Sequence, residues 1–336
     1  MSTDRCELTA CTSPEALDGM RLREMARLKI HHGNGVFLNP FAQEHYGSPL
    51  VMIKWKLFCK NPYRPRYRME RVKPVSIDWR KVKNHAGLSI TFIKHACVMI
   101  RDRGCTFLID PIFFGLPGPI RDFTPLAFDL DEIPVPHYIL ITHGHFDHLD
   151  RRSVSRFAGK SRIVTPLGYA DIVGHYGNHA EMDWFDAFSD GKREIVFLPA
   201  NHWSMRNPLK GPNTMLWGSY LIRTASGATI YVSGDSAYFP HYTDIGREYK
   251  IDLAIFNLGA YEPRWFMGKA HMNPAEVLQA FTELKARQLI IVHWGTFRLG
   301  DEPVYLPPDD MRRVMATAER GEALIHLDHG KTLFYC

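Results

Sequence analysis

The sequence predicts an α/β (α+β) protein with two β-sheets and helices on their outer faces, preceded by an N-terminal extension. Three observations carry this reading. Apolar, β-branched runs recur along most of the chain, and the helix candidates between them are short. Many strands with short helical connections fit two sheets better than one doubly wound sheet. The texture also changes near residue 87, where Gly- and Pro-broken sequence gives way to the first apolar run.

Residues 1–85 are read as an extension that packs on the main domain. They contain a short helix over 14–29 and then a basic stretch, KWKLFCKNPYRPRYRMERVKP. From 86 to 336 the main domain begins with LSITFIKHACVMI and TFLIDPIFF, joined by the turn-like RDRG as a hairpin. PHYILITH, SRIVTP, EIVFLPA, TMLWGSYLIRT, ATIYVSGD, DLAIFNLG and QLIIVHW follow as strands, with helices near 149–158 and 167–174. The best-marked helix is 274–287: Asn273 caps it, Pro274 suits its first turn, and Glu276 completes a capping box. A helix after Pro307 and a closing strand around 323–327 end the chain.

At 336 residues, 45% hydrophobic and 23% charged, the chain has ordinary globular composition, which excludes a disordered or fibrous protein. Six cysteines with no C-x-x-C pair point to a reducing compartment. No apolar h-region opens the sequence and no uncharged run is long enough to span a bilayer, so a cytoplasmic location is expected. The net charge of +5 hides an asymmetry: residues 54–83 carry eleven Lys and Arg against Glu70 and Asp78, a local +9 that leaves the remainder near −4. Two readings of this stretch stand. It packs on the main domain as a solvated face, or it meets phosphates or the inner face of an anionic membrane, with Trp55 and Phe58 inserting. Prolines 62, 65 and 74 exclude one continuous amphipathic helix, and no nucleic-acid module accompanies the charge.

The chemistry concentrates in THGHFDHLD. His143, His145, Asp147 and His148 fall within six residues directly after an apolar strand, a density suited to one or two cations. Further ligands are expected at other strand ends. His202 follows EIVFLPAN, Asp235 follows ATIYVSG, and His293 follows QLIIV. Seven metal-ligating residues result.

The H-x-H-x-D-H cluster followed by His, Asp in a Gly-Asp step and His resembles the metallo-β-lactamase fold superfamily. LIDPIF, GPIR, LWGSY, GDSAYF, LGAYEPRWFM, KAHMNPAE and VHWGTF narrow the likeness to the group of N-acyl-phosphatidylethanolamine-hydrolysing phospholipases D. The resemblance covers about 87–330 and implies a four-layer αββα sandwich. It implies one metal on His143, His145 and His202, another on Asp147, His148 and His293, and Asp235 bridging them. Two divalent metal ions are expected, zinc in preference to manganese or iron.

Asp147, Asp235 and His271 are the expected catalytic set, His271 resembling a non-ligand histidine of the phospholipase group that bonds a phosphoryl oxygen or aids the leaving alkoxide. His95 and Asp110 are expected to support the metal ligands, and Arg206 either reaches substrate phosphate or stays in solvent. The sequence departs from the group's pattern at Lys94 (usually glycine), Gly144 (usually Asn or Asp), Ala237, and Pro208–Lys210, where an acidic residue is usual.

The resemblance thus implies metal-dependent hydrolysis of a lipid phosphodiester by a metal-bridging hydroxide. A lactone, amide or small phosphoester hydrolase on the same site is the alternative. Peripheral membrane contact and a homodimer accompany the first reading; nucleic acid is not an expected partner.

Overall fold

The computed structural model describes residues 19–42 and 49–335, where the apolar runs pair into two mixed sheets. Strands β1 (Ser89–Lys94), β2 (Cys97–Asp102), β3 (Cys105–Ile109), β4 (Tyr138–Leu140), β5 (Arg162–Pro166) and β6 (His179–Met182) lie side by side in chain order. The second sheet takes β7 (Ala187–Ser189), β8 (Glu194–Leu198), β9 (Ser219–Arg223), β10 (Thr229–Val232), β11 (Leu253–Asn257) and β12 (Gln288–Val292), in the order β12-β11-β10-β9-β8-β7. A last strand, β13 (Thr332–Phe334), returns to pair antiparallel with β1. Each sheet is part antiparallel and part parallel: β3 to β6 run parallel in the first, β10 to β12 in the second.

Nine α-helices occur among the described residues. The extension contributes α1 (Leu22–Arg27), α2 (Pro49–Phe58) and α3 (Trp79–Asn84); the rest of the chain contributes α4 (Arg151–Ser155), α5 (Ala170–Val173), α6 (Tyr242–Glu248), α7 (Arg264–Met267), α8 (Pro274–Glu283) and α9 (Pro307–Thr317). None is long and apolar enough to cross a membrane.

The unbroken apolar character of the central strands follows from their position between two layers. Ile90, Phe92, Val98, Ile100, Phe107 and Ile109 face the second sheet across the sandwich core. Their neighbours Ile93, Cys97, Met99 and Leu108 face outward, onto Trp79 and Val82 of α3 and Val154 of α4. Period-2 alternation therefore puts both faces of the strand in apolar surroundings. On the far side Ile245 of α6, Phe281 of α8 and Met311 of α9 cover the second sheet. The result is the four-layer αββα sandwich, with additional N-terminal helices.

Several boundaries differ from expectation. LSITFIKHACVMI is two strands, because the chain turns at His95–Ala96 with His95 at φ 51°. The RDRG turn does join β2 to β3, with Arg103 and Gly104 both at positive φ as a tight hairpin requires. The expected strand at 323–327 makes only an isolated bridge, Leu289 to Leu324, and the closing strand is β13. Helix α8 has the expected capping box, Asn273 Oδ1 accepting from Glu276 N at 2.9 Å, but ends at Glu283; Lys285 turns to φ 53° and leads into β12. The N-terminal helix covers 22–27, and residues 14–18 of its expected span lie outside the described residues. In the basic stretch Trp55 turns inward: it is 4% exposed, packs on Ala260 and Met267, and donates Nε1 to Asp301 Oδ2 at 2.9 Å. Phe58 is 78% exposed.

Candidate metal centre

The strands deliver their polar residues to one end of the sandwich. Asp110 follows β3, the 142–148 loop follows β4, and His202 follows β8. Asp235 follows β10, Asn257 closes β11, and His293 follows β12. His95 reaches the same end from the β1–β2 turn. Three of these residues, His95, Asp110 and His293, have positive φ (51°, 42° and 71°) without being glycine. Left-handed backbone at bulky residues is strained and persists where the surroundings impose it. Here it bends each strand end so that the side chain turns toward the centre. Gly234 does the same for Asp235 at φ +58°; a Cβ there would lie 2.9 Å from Gly218 O and from Thr142 Cβ.

Two ligand-type groups meet at this end, the pattern of a dinuclear metallohydrolase active site. In the first, His143 Nε2 lies 3.0 Å and His202 Nε2 3.3 Å from His145 Nδ1. In the second, Asp147 Oδ2 lies 3.5 Å from both His148 Nε2 and His293 Nε2, and 3.0 Å from His95 Nε2. Asp235 stands between them: Oδ2 is 3.2 Å from His148 Nε2, 3.8 Å from His143 Nε2 and 3.9 Å from His202 Nε2, and Oδ1 is 3.3 Å from His293 Nε2. His148 Nε2 and His293 Nε2 are buried without a hydrogen-bond partner, although such burial is costly. Ring nitrogens without a hydrogen-bond partner beside two carboxylates form a nitrogen–oxygen donor set of the kind zinc and similar divalent cations take.

The protein braces this assembly from beneath. Asp110 accepts hydrogen bonds from Thr142 N (2.8 Å), Thr142 Oγ1 (2.6 Å) and His148 Nδ1 (2.8 Å), which fixes the His148 tautomer so that Nε2 is the free nitrogen. His202 Nδ1 lies 3.1 Å from Ala270 O, and Asn257 Nδ2 donates to Asp235 Oδ1 at 2.8 Å. Asn39, from the N-terminal extension, donates to His202 O (2.8 Å) and Asn201 Oδ1 (2.9 Å).

Electrostatics separate the imidazoles. Burial pushes His143 and His202 well below the ordinary histidine range, helped by neighbouring imidazoles. Burial also opposes charge on His148, but Asp235, Asp147 and Asp110 outweigh it and hold His148 well above that range. Burial acts to raise Asp147 and Asp235, yet the facing histidines, His148 foremost, hold both well below the usual carboxylate range. Both carboxylates are therefore ionised, and His148 carries at Nε2 a proton that an incoming cation would displace, so that cation binding there would release a proton.

The other singled-out residues are placed as follows. His271 joins the cluster, its Nδ1 3.8 Å from Asp235 Oδ2. Arg206 is engaged with the protein, donating to Leu149 O at 2.6 Å and lying 4.2 Å over the Phe146 ring. Gly144 is accounted for by crowding: a Cβ would fall 2.7 Å from Met215 Cε and 2.8 Å from Ser204 Oγ. Lys94 is fully buried and pairs with Asp122. Sequence reasoning missed Asn39 and Asn257. Asn257 had a signal, a polar residue at the end of DLAIFN; Asn39 had none, since its contact is 163 residues away in sequence.

Comparison with known proteins agrees with this geometry. The chain is 29% identical over 273 residues to N-acyl-phosphatidylethanolamine-hydrolyzing phospholipase D 1 of Caenorhabditis elegans, covering 74% of this chain and 76% of that protein. It is 31% identical over 242 residues to the mitochondrial N-acyl-phosphatidylethanolamine-hydrolyzing phospholipase D of Saccharomyces cerevisiae. That match takes in 67% of this chain and 51% of the yeast protein, so the chain spans about half the yeast protein's length. Isothiocyanate hydrolase from Delia radicum gut bacteria shares the fold, with a TM-score of 0.59 at 18% identity over 74% of this chain and 99% of that one. Residues 106–294, over half of the sequence and holding all seven ligand-type residues, match the Beta-lactamase superfamily domain, and the chain belongs to that superfamily.

Proposed function

We propose that this protein is a dinuclear metal-dependent phosphodiesterase performing phospholipase D-type hydrolysis of an N-acyl-phosphatidylethanolamine-like lipid. The observation that carries the proposal is the convergence of the two ligand groups on Asp235. The likeness to two phospholipases of that class supports the choice of bond. His143, His145 and His202 would hold one cation, Asp147, His148 and His293 the other, and Asp235 both. When bound, a divalent pair acidifies water to a nucleophile at neutral pH and offsets charge on the two non-bridging oxygens of a phosphodiester.

The residues of the chain then divide the remaining work. Asp110 and Asn257 keep the His148 ring and the Asp235 carboxylate in place. His95 holds Asp147 through its Nε2. His271 is lowered to about 4 by burial, so it is neutral at pH 7 and serves as a hydrogen-bonding group toward a phosphoryl or leaving-group oxygen. A second reading, hydrolysis of a small lactone, amide or phosphoester, rests on the same two ligand groups, since water activated by a metal pair can attack an acyl carbon as well as a phosphorus atom.

The test is elemental analysis of the purified protein together with hydrolysis of N-acyl-phosphatidylethanolamine in mixed micelles, followed as release of phosphatidic acid before and after chelation. Two metals and chelator-sensitive release are expected. Two metals with hydrolysis of a chromogenic lactone alone would move the assignment to the second reading, and absence of metal would overturn both.

A further inference from the structure

The outward face of α2 is apolar where a solvated helix would be polar. Ile53 and Leu57, four residues apart on one face, are 47% and 71% exposed; Met52 beside them is 49% and Phe58 at the helix end 78% exposed. Trp55 faces the opposite way and is buried, so the helix is apolar on both sides: one side is used by the fold and the other is not. Between 49 and 69 the chain carries six basic residues, Lys54, Lys56, Lys60, Arg64, Arg66 and Arg68, and no acidic one. A protruding apolar face ringed by one sign of charge matches a surface that is negative at its boundary and apolar below it.

Trp55 of α2 packs against Phe266 of α7, ring centroids 5.0 Å apart and tilted by 38°, and α7 leads directly to His271, whose N–H donates to Met267 O at 2.9 Å and whose Nδ1 lies 3.8 Å from Asp235 Oδ2. Trp265, also on α7, is 50% exposed and adds a ring of the kind that settles at a lipid headgroup boundary. The apolar face therefore lies at the same end of the sandwich as the metal centre.

We infer that α2 is a membrane-docking element: Ile53, Leu57 and Phe58 insert into the headgroup boundary of an anionic lipid bilayer while Lys54 and Lys60 meet its phosphates, presenting the metal centre to the bilayer surface. The inference builds on the lipid-substrate reading but is tested without turnover. The metal-loaded protein is sedimented with vesicles of phosphatidylcholine alone and of phosphatidylcholine mixed with phosphatidylglycerol, at low and high salt. Wild type is expected to bind the mixed vesicles preferentially, and less so at high salt. A Leu57→Asp/Phe58→Asp variant, altered only at exposed positions, should bind the mixed vesicles at least about tenfold more weakly. Replacement of Lys54 and Lys60 by Glu should remove the preference for phosphatidylglycerol.

Both variants should hydrolyse a water-soluble phosphodiester at the wild-type rate, which shows that the fold and metal centre survive. Equal binding by the Leu57→Asp/Phe58→Asp variant, or equal binding to both vesicle types, overturns the inference. So does a concentration-dependent dimer that these substitutions dissociate, since the face would then belong to a second copy of the chain. Vesicle binding without lipid hydrolysis would instead count only against the substrate assignment.

Discussion

Replacing Asp110 by asparagine tests how the metal centre is held, because the substitution preserves volume and changes only hydrogen-bond polarity. Asp110 accepts from Thr142 N at 2.8 Å with one oxygen, and from Thr142 Oγ1 at 2.6 Å and His148 Nδ1 at 2.8 Å with the other. An asparagine oxygen facing Thr142 N retains the first bond. The Thr142 hydroxyl can rotate to accept from the new amide. His148 cannot adapt without loss: its Nδ1 must now accept, which moves the ring proton to Nε2, the atom 3.2 Å from Asp235 Oδ2. Flipping the amide only transfers the conflict to Thr142 N–H. The penalty is about one charge-assisted hydrogen bond, roughly 1.5–3 kcal/mol, equivalent to about a ten- to hundredfold loss of affinity for one cation. Competition with a chromogenic chelator reads the two cations as separate steps. The expected result is one weakened step, the other unchanged, and an unaltered circular dichroism spectrum. Two steps of wild-type affinity would refute the tautomer argument, and equal weakening of both would show that Asp110 supports the fold and not His148 in particular.

Four further outcomes are expected. Asn39→Ala removes the bonds to His202 O and Asn201 Oδ1, and should weaken the cation held by the His143, His145 and His202 group by about tenfold at unchanged fold, read by the same chelator titration. Gly144→Asn should lower stability by roughly 1–3 kcal/mol in urea denaturation, with partial recovery on adding Met215→Ala, because the new Cβ meets Met215 Cε at 2.7 Å. His271→Ala should reduce kcat while elemental analysis still finds two metals; loss of metal would make His271 a ligand. Burial raises Glu302 from 4.5 to about 7, so between those values the folded state binds more protons than the unfolded chain, and wild-type stability should fall as pH rises through this window, by at most about 3 kcal/mol. Glu302→Gln should show a flatter profile between pH 5 and 8, and an unchanged slope would place the titration elsewhere.

How much of this molecule can be read from its sequence depends on whether the cause of each feature is local. The 142–150 stretch is legible because its ligand-type residues are neighbours in the chain, and His202, Asp235 and His293 because each ends an apolar run. Capping at Asn273 is legible for the same reason, all its partners lying within three residues. Features caused by distant contacts were hidden. Strands β6 and β7 have half-buried or exposed edges and little apolar periodicity, so it is pairing with β5 and β8 that makes them strands. The hairpin at His95 needs a left-handed residue where the sequence offers histidine and alanine, and the backbone is held there by Thr296 Oγ1 bonding His95 N at 2.9 Å from 201 residues away. A tryptophan between two lysines reads as a membrane anchor until Asp301 supplies a buried partner for its indole N–H, while Leu57 and Phe58 stay exposed.

The same distinction explains why the metal centre combines legible ligands with illegible braces. A ligand must be of one of a few residue types, so chemistry restricts it and sequence can reveal it. A brace such as Asn39 needs only a donor at the right point in space, which many side chains supply and which only the fold can place. Asn39 lies outside the matched 106–294 region, in the extension that Lys29, His31 and His32 fasten to Asp183. The extension therefore reaches the centre through the backbone of His202 itself. If that is its role, releasing the fastening with Asp183→Asn should weaken the His202 cation in the same direction as Asn39→Ala, and the double variant should be no worse than the stronger single one, because both act through one contact. Additive losses would mean that the fastening and the brace act independently.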